Sequence, residues 1–278
     1  GLLPALWVGE ARCWPAPRGA AAEDEMTLAL GWARERMRVV AVASSAAAAQ
    51  AGPTDPPAVI LLPLPWSGAV REPELVELSR QWPLAELVLI TGTAVDGRRR
   101  RGPLLAGALA VPWYELPGRI GLWCRQRQEG VGESLGRPAT CRREDRLLAG
   151  IAAASEWRQP GIQVSVAAGS RRLLDGLEML AVAAGVRVIS RHQGKPPLSA
   201  GGDVILWDVG DVGDAELEHI ARLHEARPSL PLLLFEGFPR GATAAAVKQA
   251  GGAHVLGQPL EADVLAETLR WVCRPLRG

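Results

Sequence analysis

A chain of 278 residues with 48% hydrophobic and 22% charged residues is too apolar for disorder and about twice the usual domain size, so two domains are expected. Its formal net charge of +1 offers no global attraction to nucleic acid or anionic lipid, and no run approaches the roughly 18 uninterrupted apolar residues of a membrane span. Cys13, Cys124, Cys141 and Cys273 fit neither zinc-ligand nor disulfide-framework spacing; reduced thiols in a cytoplasmic setting are expected, with no metal and no cofactor.

The opening GLLPALWVG lacks a basic segment and a small-residue cleavage site, so no signal peptide is expected. In the first half, short apolar runs at Ala5–Val8, Val39–Ala43, Val59–Leu62, Leu87–Ile90 and Ala110–Trp113 read as buried strands. Ala22, Met26, Ala29, Ala33 and Met37 recur at helical spacing between the first two. Leu75, Leu78 and Trp82 mark another helix, and Ile120, Trp123 and Cys124 a last one. A polar, glycine-rich stretch, EGVGESLGRPATCRRED, then leads into an expected helix over 143–157. The reading is thus an α/β domain over 1–128, a linker with one helix over 129–161, and a second α/β domain over 162–278.

The second half is the cleaner pattern. Strands are expected at Gln163–Ala167, Val186–Ser190, Asp203–Trp207, Leu232–Phe235 and His254–Leu256, apolar enough to be covered on both faces of a parallel sheet. Leu173, Leu174, Leu177, Leu180, Ala181 and Ala184 form one helical stripe, Asp214 is placed to cap a second helix, and Gly251 and Gly252 can end a third. Val264, Leu265, Leu269 and Val272 form the face of the last. Five β–α units in this order imply a five-stranded, doubly wound, flavodoxin-like parallel sheet in each half.

The stretch GDVILWDVGD, followed by a helix and then by PLLLFEG and AGGAHVLGQPL, resembles the response-regulator receiver family. That resemblance covers about Gln163–Cys273 and implies a phosphoacceptor at Asp208. It also implies how much of the site is gone. Ala167 and Ala168 stand where the family carries the acidic pair that holds magnesium, Glu236 stands at its Ser/Thr position, and Gln258, before Pro259, replaces its lysine. Phosphoryl transfer to a carboxylate gathers anionic groups and depends on cations to neutralise them, so no phosphotransfer is expected. In the first half the third strand ends in Leu61–Leu62–Pro63 without a carboxylate, although Thr91 ends the fourth.

What remains is a degenerate tandem pseudo-receiver, a non-catalytic signalling module that binds a protein partner or a second copy of itself. The alternative is a bilobed enzyme or ligand-binding protein with its site in an interdomain cleft. Arg98, Arg99, Arg100 and Arg101 form a local basic run suited to an anion or an acidic partner surface. With only Lys195 and Lys248 as lysines among 31 basic residues, arginine-rich composition by itself also accounts for that run. Trp66, Trp82, Trp113 and Trp123 are expected mainly as core filler, and the histidines as surface or partly buried groups.

Overall fold

The apolar runs become the strands of two separate parallel sheets in the computed structural model, which describes residues 2–9, 25–44, 47, 56–95, 104–105, 107–129 and 161–273. The chain divides into two units, Gly1–Arg142 and Arg143–Gly278. Apart from Glu129 and Gly161, the expected linker lies outside the described residues, as do Cys13, Cys141 and Arg98 to Arg101.

In the first unit β1 (Leu3–Val8), α1 (Glu25–Arg36), β2 (Met37–Val42), β3 (Val59–Leu64), α2 (Glu72–Gln81), β4 (Glu86–Thr91), β5 (Leu109–Pro112), a 3-10 turn at Trp113–Glu115 and α3 (Leu116–Glu129) follow one another. The sheet order is β2-β1-β3-β4-β5, every pair parallel. Met37, expected on the helix, instead opens β2 opposite Leu3. The run Met37–Val42 is rich in β-branched residues, and pairing with β1 outweighs one more helical turn. Leu6, Val8, Ile60, Leu62 and Leu89 pack with Leu75 and Leu78 of α2 on one face. On the alternate positions Trp7, Leu61, Val88 and Ile90 are buried too, as parallel strands covered on both faces require.

Pro63 can lie inside β3 because the ladder to β1 stops at Leu61, so no hydrogen bond needs its missing N–H. The chain then turns over the proline at Gly9, φ +126°, where a Cβ would come within 2.9 Å of the Pro63 ring. Of the four tryptophans expected as filler, Trp113 and Trp123 are fully buried, Trp82 is half-buried, and Trp66 is 40% exposed. Trp113 stacks on Trp32 with ring centres 5.9 Å apart.

The second unit runs β6 (Gln163–Ala168), α4 (Arg171–Ala183), β7 (Arg187–Gln193), β8 (Val204–Gly210), α5 (Asp214–Ala226), β9 (Leu232–Glu236), α6 (Gly241–Gln249), β10 (His254–Gly257) and α7 (Ala262–Val272). Its order is β7-β6-β8-β9-β10, again all parallel. Counted within each unit, both orders are 2-1-3-4-5, the flavodoxin-like doubly wound topology. Val166, Leu206, Leu233, Phe235 and Leu256 pack under α4 and α7 through Leu177, Leu265 and Leu269. Ile205, Trp207, Leu234 and Val255 pack under α5 and α6 through Ile220, Leu223 and Val247.

The local signals hold with small shifts. Ser170 caps α4, its hydroxyl accepting from the Leu173 N–H at 3.3 Å. The cap of α5 is Gly213, not Asp214, which is the first helical residue; the Glu216 carboxylate reaches back to accept from the Gly213 N–H at 3.2 Å. Lys195 holds that glutamate at 3.0 Å and, by this bond first, lowers the Glu216 carboxyl below its ordinary value. Gly251, φ +97°, ends α6 against the His224 side chain. β7 extends to Gln193 with alternating exposure because it is an edge strand, so its outer positions need no apolar cover.

Candidate functional site at the C-terminal edge of the second sheet

In a 2-1-3-4-5 sheet the crevice opens where the strand order reverses, here between the C-terminal ends of β6 and β8. Ala168 closes β6 and stands directly beside Asp208 of β8. Ala167 alternates to the other face and packs with Trp207 and Ile220. The two alanines expected together at the site are therefore split, and only Ala168 borders the aspartate. Both are fully buried methyl groups.

Asp208 is 6% exposed, and both its oxygens are engaged. Oδ1 accepts from the Gly210 N–H at 3.2 Å, and Oδ2 accepts from the Gln258 amide Nε2 at 2.7 Å. Gln258 reaches it from the loop after β10, across 50 residues of sequence, and the Gln258–Pro259 peptide is cis. A neutral amide thus caps the carboxylate with a good hydrogen bond but contributes no charge.

Glu236 ends β9 one strand further along. A bulge in β8 shifts the register so that Asp208 lies opposite Phe235 and Gly210 opposite Glu236. On the other side its partner is Gly257 of β10. The Glu236 side chain is 7% exposed, and its Oε2 is buried without a hydrogen-bond partner. Burial first, then the nearby Asp211 carboxylate, pushes its carboxyl from 4.5 up to about 7; the Val212 N–H and the Arg240 guanidinium pull less strongly the other way.

These residues do not fit a magnesium ion. The β6 end offers a methyl group, and both Asp208 oxygens are committed to donors. Among the described residues no cluster of three or more His, Cys, Asp or Glu side chains is arranged to hold a metal. His219 instead contacts the Pro196 carbonyl at 2.8 Å and the edge of Trp207, and His254 lies edge-on to Trp271. No helix among the described residues is long and apolar enough to cross a membrane.

The equivalent edge of the first unit is built differently, in a way the sequence did not signal. Thr91 does end β4 and is fully buried. From the start of α1, Glu25 reaches 68 residues along the chain, its carboxylate accepting from the Thr93 N–H at 2.9 Å and the Thr93 hydroxyl at 2.6 Å. No carboxylate ends β3, whose last residues are Leu62, Pro63 and Leu64.

No family profile matches the chain, and no curated protein matches it. Solved structures do. A protein described as pilus assembly-related from Burkholderia pseudomallei is 25% identical over 40% of this chain and 89% of its own, with a TM-score of 0.36. A protein described as a pilus assembly protein from Burkholderia thailandensis is 28% identical over 41% and 99%, TM-score 0.38. A response regulator from Thermotoga maritima is 19% identical over 41% and 99%, TM-score 0.36. Each likeness spans about the length of one unit, and the fold assignment stands on the strand order itself. The chain carries two flavodoxin-like α/β units in tandem, and the second has an aspartate near the end of its third strand and a cis peptide after its fifth.

Proposed function

We propose that this protein is a pseudo-receiver, a non-catalytic signalling module that works by binding a protein partner or a second copy of itself. One observation carries the reading: the Asp208 carboxylate is capped by the neutral Gln258 amide at 2.7 Å. An incoming phosphoryl group would have to displace that amide and would find no cation in its place. Ala168 supplies a methyl group beside it, and Glu236 would add negative charge on ionising. Transition-state charge on a transferring phosphoryl group is neutralised by positioned cations, and their loss removes most of the catalytic power. A cytoplasmic location is part of the proposal, and it is supported by cysteine spacing that fits no disulfide framework.

The test is binding of beryllofluoride, and phosphorylation by acetyl phosphate, with magnesium at millimolar concentration. Neither is expected to modify the full chain or to shift its amide resonances around Asp208. Saturable binding that disappears in Asp208→Asn would overturn the reading.

A further inference from the structure

We infer that Glu236 is a proton-operated latch at the C-terminal edge of the second sheet. With a proton bound, its side chain stays packed between the loops that follow β8 and β9; without one, it is driven from Asp211 toward Arg240 and moves the loop after β9 with it. The inference supplies a mode of regulation for the interaction module proposed above and rests on that reading for its biological use.

The geometry is that of a side chain buried in one protonation state and unsuited to the other. Oε2 is buried with no hydrogen-bond partner, so ionisation would leave that oxygen desolvated, a cost that the Val212 N–H and Arg240 offset only in part. Space to move exists on the Gly210 flank. The residues opposite Glu236 in the adjacent strands are Gly210 and Gly257, neither presenting a side chain, and a Cβ built on Gly210 would meet nothing within 4 Å.

The charges around it are opposed. From the loop after β8, the Asp211 carboxylate repels an ionised Glu236 while the Val212 N–H favours it; from the loop after β9, Arg240 attracts it. At the neighbouring strand ends, Asp208 is already held by Gln258 from the loop after β10 and by the Gly210 N–H. The carboxyl's rise to about 7 then puts proton loss near neutrality.

The two loops are joined, so the movement has somewhere to go. The Gly237 N–H donates to the Gly210 carbonyl at 3.2 Å, directly after Glu236 on one strand and opposite it on the other. The next residue, Phe238, is 47% exposed on the same loop and would be re-aimed as the carboxylate swings toward Arg240. A partner surface that reads Phe238 would thereby read the proton.

The experiment is an NMR titration of the full chain from about pH 5 to about pH 9, without partner, phosphate or metal, following the Glu236 side-chain carboxyl carbon and the backbone amides of Asp211, Gly213, Gly237, Phe238 and Arg240. One shared midpoint between about pH 6 and pH 8 is expected, and Glu236→Gln should abolish it. Asp211→Asn should lower the midpoint and Arg240→Gln should raise it, each by about half a pH unit or more. Amides that stay flat, or that titrate unchanged in Glu236→Gln, overturn the latch. Should Glu236→Gln fail to fold, the opposite displacements in the other two variants decide the matter alone. Because no phosphate analogue is used, the latch can fail while the pseudo-receiver stands, and the reverse.

Discussion

Replacing Glu236 by glutamine should change the stability of the second unit by an amount that rises with pH. Glu236 has a folded-state carboxyl near 7 against an ordinary 4.5. Its folded value is raised, so its contribution to stability is fully present below about 4.5 and is lost as pH rises through about 7. The difference between those two values, at about 1.36 kcal/mol per pH unit, sets the loss at about 3 kcal/mol on going from about pH 4.5 to pH 8. Glutamine has nearly the same shape and does not ionise, so it removes that slope. Its own buried amide adds a roughly constant cost of about 1–3 kcal/mol where it lacks a partner, which shifts the curve without tilting it. The discriminating quantity is therefore the change in the stability difference with pH. Native-state amide exchange at Leu206 and Leu234, both fully buried in the core strands, reads the opening of this unit separately from the first. With exchange corrected for its intrinsic pH dependence, the variant should gain about 2.5 kcal/mol on wild type between pH 5 and pH 8. Parallel curves, with the difference constant to within about 0.5 kcal/mol, would refute the assignment of a buried, destabilising carboxylate.

Three further outcomes follow from other parts of the structure. Phe235 is fully buried where β9 meets α4 and α7, so Phe235→Ala should cost the second unit about 3–5 kcal/mol in urea denaturation; a cost under about 1 kcal/mol would contradict the packing described. Gly202 and Gly194 both have positive φ, +101° and +93°, but a Cβ on Gly202 would lie 2.7 Å from the Gln163 carbonyl oxygen whereas one on Gly194 meets nothing. Gly202→Ala should therefore destabilise more than Gly194→Ala, by about 1 kcal/mol or more, and equal effects would show that backbone strain alone was at work. The Cys273 thiol is pushed up to about 11, by burial first and the Asp203 carboxylate second. At pH 8 about one molecule in a thousand would carry its thiolate, so iodoacetamide should label it at least about tenfold more slowly than free glutathione, as read by mass spectrometry of its peptide. Labelling at the glutathione rate would contradict its burial.

At the C-terminal edge of the second sheet, two carboxyl side chains one strand apart sit in different surroundings. Asp208 stands near the end of β8 and the cis peptide before α7. Neutral hydrogen bonds satisfy the aspartate, and one strand away Glu236 has a buried carboxyl oxygen without a hydrogen-bond partner.

The strands and their parallel order were legible in the amino-acid sequence. Continuous apolar runs such as Val59–Leu62 and Leu232–Phe235 demand cover on two faces, and right-handed crossovers leave few ways to arrange five of them. The glycine signal at Gly251 marked a helix end correctly because that effect is local, whereas the Ser170 cap was not read from the sequence. β2 and β7 were displaced in the reading because strand pairing at a sheet edge, not local pattern, sets their limits. The candidate site was only half legible. The family resemblance singled out Asp208, Glu236 and Gln258 as candidates, while Ala167 and Ala168 part company through strand alternation. The bulge after Asp208 brings Gly210 opposite Glu236. The Gln258–Asp208 bond spans 50 residues and the Glu25–Thr93 contact 68, and no local periodicity encodes either. Only the folded chain decides which carboxyl loses its water, because burial and charge neighbours are properties of packed elements and not of the residues one by one.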